Sequence, residues 1–123
     1  MKRYQELARL VQARLNCIKS SNKKWQDRHS ERIDFIMKSA PSGSGIDSGT
    51  KIDFDKSTGD KLVFDVDFHH MNDNGMYDGW TEHVLTVKPS LSLDFVIGIS
   101  GRDRNGIKDY LGELYQNWLS EGA

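Results

Sequence analysis

Cysteine is almost missing from this 123-residue chain: Cys17 stands alone, so no internal disulfide can form, and no CxxC pair or Cys/His zinc spacing exists. Apolar runs are short, and none approaches the roughly 18 residues that span a bilayer, so no membrane partner is expected. Neither sign of charge dominates, with 17 Lys and Arg against 18 Asp and Glu, a formal net of −1. That balance excludes a strongly basic nucleic-acid coat protein and an acidic disordered tail. The opening residues, Met1 to Glu6, lack the apolar stretch and small-residue cleavage site of a secretory signal. The expectation is a reducing, cytoplasmic setting, which is the host cytoplasm if the gene is carried by a phage.

What is present suits one globular domain, 1–123: 37% of residues are hydrophobic, with eleven glycines besides. The near-neutral total hides a split. Residues 1–40 carry a net +6, residues 41–100 a net −6 and the remainder −1.

The first 39 residues read as a helical hairpin, 3–39. Tyr4, Leu7, Ala8, Val11, Leu15 and Ile18 recur at steps of three and four, one stripe of a 3.6-residue period. Ser20, Ser21 and Asn22 interrupt the stripe and offer N-cap oxygens for a second helix. That helix puts Trp25, His29, Ile33, Ile36 and Met37 on one side, with Phe35 widening it. Pro41 closes the hairpin, and a small-residue loop leads to Thr50.

From there to residue 100 the period becomes two. Ile52 and Phe54, then Leu62, Phe64, Val66 and Phe68, then His83, Leu85 and Val87, then Leu91, Leu93, Phe95, Ile97 and Ile99 alternate with mostly polar neighbours. Four runs with one apolar face each predict an antiparallel meander, 51–100, covered on one side. Setting Phe54 opposite Leu62, Leu62 opposite Val87 and Leu85 opposite Leu93 keeps every inward residue facing another. A last helix, 104–119, carries Ile107, Tyr110, Leu111, Leu114, Tyr115, Trp118 and Leu119 on one stripe, with Asp103 or Asn105 as its cap. The expected fold is α+β in the order ααββββα, with the helices on one face of a four-stranded sheet.

The other sheet face then displays Asp53, Asp55, Asp65, Asp67, Glu82 and Asp94 around Val63, Val84, Val96 and Trp80. It reads either as an ordinary solvated face or as a docking surface for a partner or a second copy of the chain. Asp65, Asp67, His69 and Glu82 are the candidate ligands if a divalent metal is bound there; otherwise no cofactor is expected. Residues two apart on a strand stand about 6.7 Å from each other, so three in a row need help from a neighbouring strand. One register sets Asp67 opposite Glu82, a like-charge pair that a cation would relieve.

The segment from His70 to Trp80 is long for a hairpin loop, and Met76, Tyr77 and Trp80 make it a candidate recognition loop, unless Asn74 and Gly75 simply form the reversal. The Gly/Ser loop 42–50 offers backbone N–H groups to an anion but has no P-loop lysine, and a flexible connector is the plainer reading. Arg14, Lys23, Lys24 and Arg28, with Trp25 among them, form a basic helical face that can take phosphates or an acidic protein. Glu6, Asp27, Glu31 and Asp34 are interspersed with these cations, which equally describes a solvated face. No catalytic template is met: there is no GxSxG or HExxH, and Cys17 has no identifiable base. No catalytic residue is assigned. His29 and His83 fall on packed faces by pattern.

At PSGSGIDSGT (41–50), FHHM (68–71), YDGWTEH (77–83) and ISGRDRN (99–105) the chain resembles a family of small proteins of bacteriophages and other bacterial mobile elements, over most of its length. No chemistry is attached to these strings. What the resemblance implies is a genomic setting whose small proteins often inhibit host defence by occluding a surface, anti-CRISPR proteins among them. The leading expectation is therefore a non-enzymatic binding protein whose partner is a host protein or protein–nucleic-acid complex. The alternatives are a small metal-dependent hydrolase or nuclease on the carboxylate face, and a nucleic-acid binder using the helical hairpin.

Overall fold

The computed structural model describes residues 2–41, 50–71, 74, 77–90, 93–97 and 104–121; for 67–71, 77–83, 93–97, 104–108, 110 and 111 it describes the backbone alone. The chain is α+β. Helices α1 (Arg3–Lys19) and α2 (Lys23–Met37) form a hairpin, strands β1 (Thr50–Ile52), β2 (Leu62–Met71), β3 (Tyr77–Val87) and β4 (Leu93–Ile97) follow, and helix α3 (Arg104–Ser120) comes last.

The hairpin turn is built by two complementary caps. Ser21 N–H donates to Ile18 O (3.1 Å) and Asn22 N–H to Cys17 O (2.8 Å), the paired bonds of a Schellman closure. The closure forces Ser21 to a φ of 58°, the left-handed region that glycine occupies most easily. Asn22 then caps α2, its side-chain oxygen accepting from Trp25 N at 3.3 Å. The expected stripes hold at their centres: Leu7, Val11, Ile33, Ile36 and Met37 are buried. They fail at the edges. Leu10, which was not on the expected stripe, is buried, whereas Ile18, Trp25 and Phe35 are exposed.

The body of the sheet is the antiparallel trio β2, β3 and β4, and the three-residue β1 pairs along the outer edge of β2. β1 is shorter than the alternation predicts because Asp53 turns the chain: its carboxylate accepts the backbone N–H groups of Asp55 (3.0 Å) and Lys56 (3.2 Å). Phe54 and Asp55 therefore lie beyond the strand. Leu62 faces Val87 as expected, but Leu85 faces Phe95, and Leu93 faces Val87. That offset of two residues preserves which side chains point inward. Gly59, in the β1–β2 connection, lies so close to α1 that a Cβ there would stand 2.6 Å from Gln12 Oε1.

Leu62, Phe64, Val66, Leu85 and Val87 form one core with Tyr4, Leu7, Leu10 and Val11 of α1, Ile33, Ile36 and Met37 of α2, and Tyr115, Trp118 and Leu119 of α3. Tyr115 closes it. Its hydroxyl donates to Pro41 O at 2.7 Å, and the Thr50 hydroxyl bonds to the same carbonyl at 3.1 Å and contacts the Tyr115 hydroxyl. One turn further along α3, Arg3 bonds to Trp118 O (2.7 Å) and lies over the Trp118 ring, tying the start of α1 to the last turn of α3.

Burial pushes the Tyr115 hydroxyl from 10.0 up to about 12, with the Thr50 hydrogen bond partly opposing. The folded chain thus keeps a proton that the unfolded chain releases above pH 10, so stability falls as pH rises from 10 toward 12. About 2–3 kcal/mol is lost through this residue; urea titrations should show a shallower alkaline decline in Tyr115→Phe, in which the Tyr4 hydroxyl, also raised by burial, still contributes. Separately, Ser21→Gly should raise stability by about 0.5–1 kcal/mol, read as a higher Tm, by removing the left-handed strain.

Candidate binding surfaces

Helix α2 divides its residues between two jobs. Ile33, Ile36 and Met37 face the core. Turned at roughly 100° per residue, Trp25, Arg28, Arg32 and Phe35 fall within about an 80° arc on its outer flank. Lys24 and Lys38 continue that arc, with Glu31 among them, while Asp27 and Asp34 lie on the far flank beside Lys23. Two large rings stand in water on this side: Trp25 is 48% exposed and Phe35 65%. Each carries a guanidinium, Arg28 at 5.3 Å from the Trp25 ring centroid and Arg32 at 5.2 Å from that of Phe35. Such stacking holds a ring in place at the surface without burying it. His29 leans against Trp25 with ring centroids 5.9 Å apart.

Of the basic residues singled out from the sequence, Lys24 and Arg28 are exposed on this flank. Lys23 pairs with Asp27 at 3.6 Å across one helical turn. Arg14 is spent on structure: Nε donates to Ser30 Oγ at 2.8 Å, and the guanidinium covers the Phe54 ring at 4.1 Å. Glu6, read from the sequence as part of a solvated mixture, is buried and accepts from Arg32 Nη2 (2.9 Å) and Nε (3.2 Å), joining α1 to α2.

Trp25 and Phe35 were both assigned to the buried side of the hairpin, and the structure reverses that. The core-facing arc of α2 is filled by Ile33, Ile36 and Met37, leaving the two rings past its edge. The available signal was the cation placed three residues from each ring, Arg28 after Trp25 and Arg32 before Phe35.

The acidic face comes together only in part. The register sets Asp67 opposite Glu82, Asp65 between Lys51 and Val84, and Asp94 opposite Thr86, which assigns Asp65, Asp67, Glu82 and Asp94 to one face. The side chains of Asp67, His69, Glu82 and Asp94 lie outside the described residues. Asp53 leaves that face for its turn, Asp55 is exposed beyond β1, and Val63 on the same face is buried, so it is not wholly open. Among the described residues no three His, Cys, Asp or Glu side chains gather as a metal site.

The recognition loop shrinks. β2 runs to Met71 and β3 starts at Tyr77, so Tyr77 and Trp80 belong to a strand, opposite Met71 and His69, with an irregularity in the pairing between His69 and Met71. β3 thus takes in Asp78 and Gly79, residue types that read as loop. Met76, residues 42–49 of the Gly/Ser loop and the cap candidate Asp103 lie outside the described residues; Asn105 lies within α3, not before it. Cys17 is half-buried in α1, His29 is half-buried beside Trp25, and the backbone of His83 sits opposite Val66 in the inward-facing row. Among the described residues, no helix is long and apolar enough to cross a membrane.

Because Arg14 packs and does not reach outward, Arg14→Ala should cost about 1–2 kcal/mol of stability through the lost Ser30 bond and ring contact. Denaturant unfolding measures this, and the affinity of the α2 flank for any anionic probe should stay unchanged in the same variant.

The chain matches no family model, no curated protein and no solved structure.

Proposed function

We propose that this chain is a non-enzymatic binding protein that acts by covering a surface, and that the outer flank of α2 is its working face, taking single-stranded nucleic acid. The observation that carries the reading is the interleaving of exposed rings with cations. Trp25, Arg28, Arg32 and Phe35 run along about 15 Å of helix, with Lys24 and Lys38 at its margins. Proteins that hold single strands without sequence preference combine a cationic track for the backbone with rings on which bases stack. An acidic protein patch would use the cations but would leave Trp25 and Phe35 unsatisfied. In the mobile-element setting that the resemblance implies, a protein of this kind inhibits by denying a strand to a host nuclease or surveillance complex.

A second reading is supported by the register, which assigns Asp65, Asp67, Glu82 and Asp94 to one sheet face. There the carboxylates imitate a phosphate backbone toward a basic channel of a host protein, or hold a divalent cation as the centre of a small hydrolase, or meet a second copy of the chain.

Fluorescence anisotropy with a labelled oligothymidylate of roughly 12 nucleotides tests the first reading. Four phosphate-facing cations predict a plot of log affinity against log salt with slope of about −2 to −3. Trp25→Ala should weaken binding by about tenfold with the slope kept, and Arg28→Ala should flatten the slope by about 0.7. Absence of binding at low salt would remove α2 as the working face and turn attention to the carboxylate face.

A further inference from the structure

The end of α2 and the start of α1 enclose a cleft of ≈ 400 Å³ lined by Arg3, Arg32, Phe35, Ile36, Lys38 and Ser39. Its size is that of a small-ligand site, about 300–1,000 Å³. We propose that it binds a phosphate monoester carried on an aromatic body: a nucleoside 5′-monophosphate, either free or at the 5′ end of a strand.

The three cations are unequally committed. Arg3 Nη1 bonds to Trp118 O at 2.7 Å and Glu121 Oε2 at 3.4 Å, which fixes it as part of the wall. Arg32 gives Nε and Nη2 to Glu6 Oε1, and its Nη1 has no hydrogen-bond partner among the described residues. Lys38 is exposed and makes no ion pair among the described residues. Glu6 and Glu121 offset two of the three positive charges, so the cleft keeps an excess of one, located at Lys38 and the free edge of Arg32.

The wall beside those donors is apolar. Phe35, 65% exposed, offers a ring, and Ile36 extends it. Ser39 contributes little, because its hydroxyl already donates to Ile36 O at 2.8 Å and accepts from Trp118 Nε1 at 3.4 Å. An inorganic anion in this cleft would leave the ring in water, and a neutral ring would leave the cations without a counter-charge. A ligand that joins a dianionic head to a flat body satisfies both. A phosphate monoester has three oxygens to divide between a point-charge ammonium and one guanidinium edge, more than a carboxylate can share.

The 5′-end form rests on the single-strand reading, since Arg32 and Phe35 belong to both surfaces; the free-nucleotide form does not. Calorimetric titration of the full chain with adenosine 5′-monophosphate, inorganic phosphate and adenosine tests the site. Lys38→Glu and Phe35→Ser are the variants, both at exposed positions, with thermal melts as the check on folding. The nucleotide should bind at least about tenfold more tightly than either fragment, and each variant should weaken it about tenfold. A 5′-phosphorylated oligonucleotide should bind more tightly than its 5′-hydroxyl counterpart in the native chain and equally in Lys38→Glu. A nucleotide that binds no better than inorganic phosphate, or binding indifferent to Lys38→Glu, overturns the site. Oligonucleotides that bind regardless of the 5′ phosphate, with no nucleotide binding, remove the cleft and leave the single-strand reading standing. Nucleotide binding without oligonucleotide binding does the reverse.

Discussion

The fold turns on one buried cluster of oxygens. The carbonyl of Pro41, at the exit of the helical hairpin, meets the hydroxyls of Thr50, at the entry to the sheet, and Tyr115, on the last helix. The hairpin exit and the sheet entry, nine residues apart, are thereby registered at one point with a helix 65 residues further on. Tyr115 is wholly buried and packs on Phe64 and Trp118, so an unpaired hydroxyl there would carry a full desolvation penalty. Directional bonds at the edge of an apolar core specify one arrangement, which oily contacts alone do less sharply.

A second constraint is set by arginines spread along the helical hairpin. Arg3, Arg14 and Arg32 each bridge two elements, to Trp118, to Ser30 and Phe54, and to Glu6. The net +6 of the first 40 residues therefore overstates the cationic surface. Once the bridging arginines and the Lys23–Asp27 pair are set aside, what faces solvent on the outer flank of α2 is Lys24, Arg28 and Lys38, with the unused edge of Arg32. Composition showed that charge was separated along the chain; only the packing shows how much of it is left for a partner.

The sequence was most legible where one periodicity ran unopposed. The helical hairpin, the inward faces of β2 and β3 and the aromatic end of α3 are all readable from spacing, because burial of one face dictates the pattern. Register was legible only to its parity: an offset of two residues, as between Leu85 and Phe95, leaves every side chain on the same face and so leaves no trace in the alternation. The end of β1 was hidden because Asp53 alternates like a strand residue while its carboxylate builds a turn. The α2 surface was misread for a related reason. Hydrophobicity marks Trp25 and Phe35 as core, and their distance from the sheet depends on how α1 and α2 cross, which no local pattern encodes.

Fully burying a Phe side chain is worth roughly 1.5–3 kcal/mol relative to leaving it in water, and Phe35, at 65% exposed, forgoes most of that gain. The fold does not need it, since Ile33, Ile36 and Met37 already fill the space between α2 and the sheet. Folding and binding thus draw on different residues of one helix, on adjoining arcs that meet between Ile36 and Trp25. Substitutions at Trp25, Arg28, Phe35 and Lys38 can alter what the surface holds while the core beneath stays as it is. Arg32 is the exception, because the same guanidinium that lines the binding flank also neutralises buried Glu6, so that flank is mechanically continuous with the contact that joins the two helices.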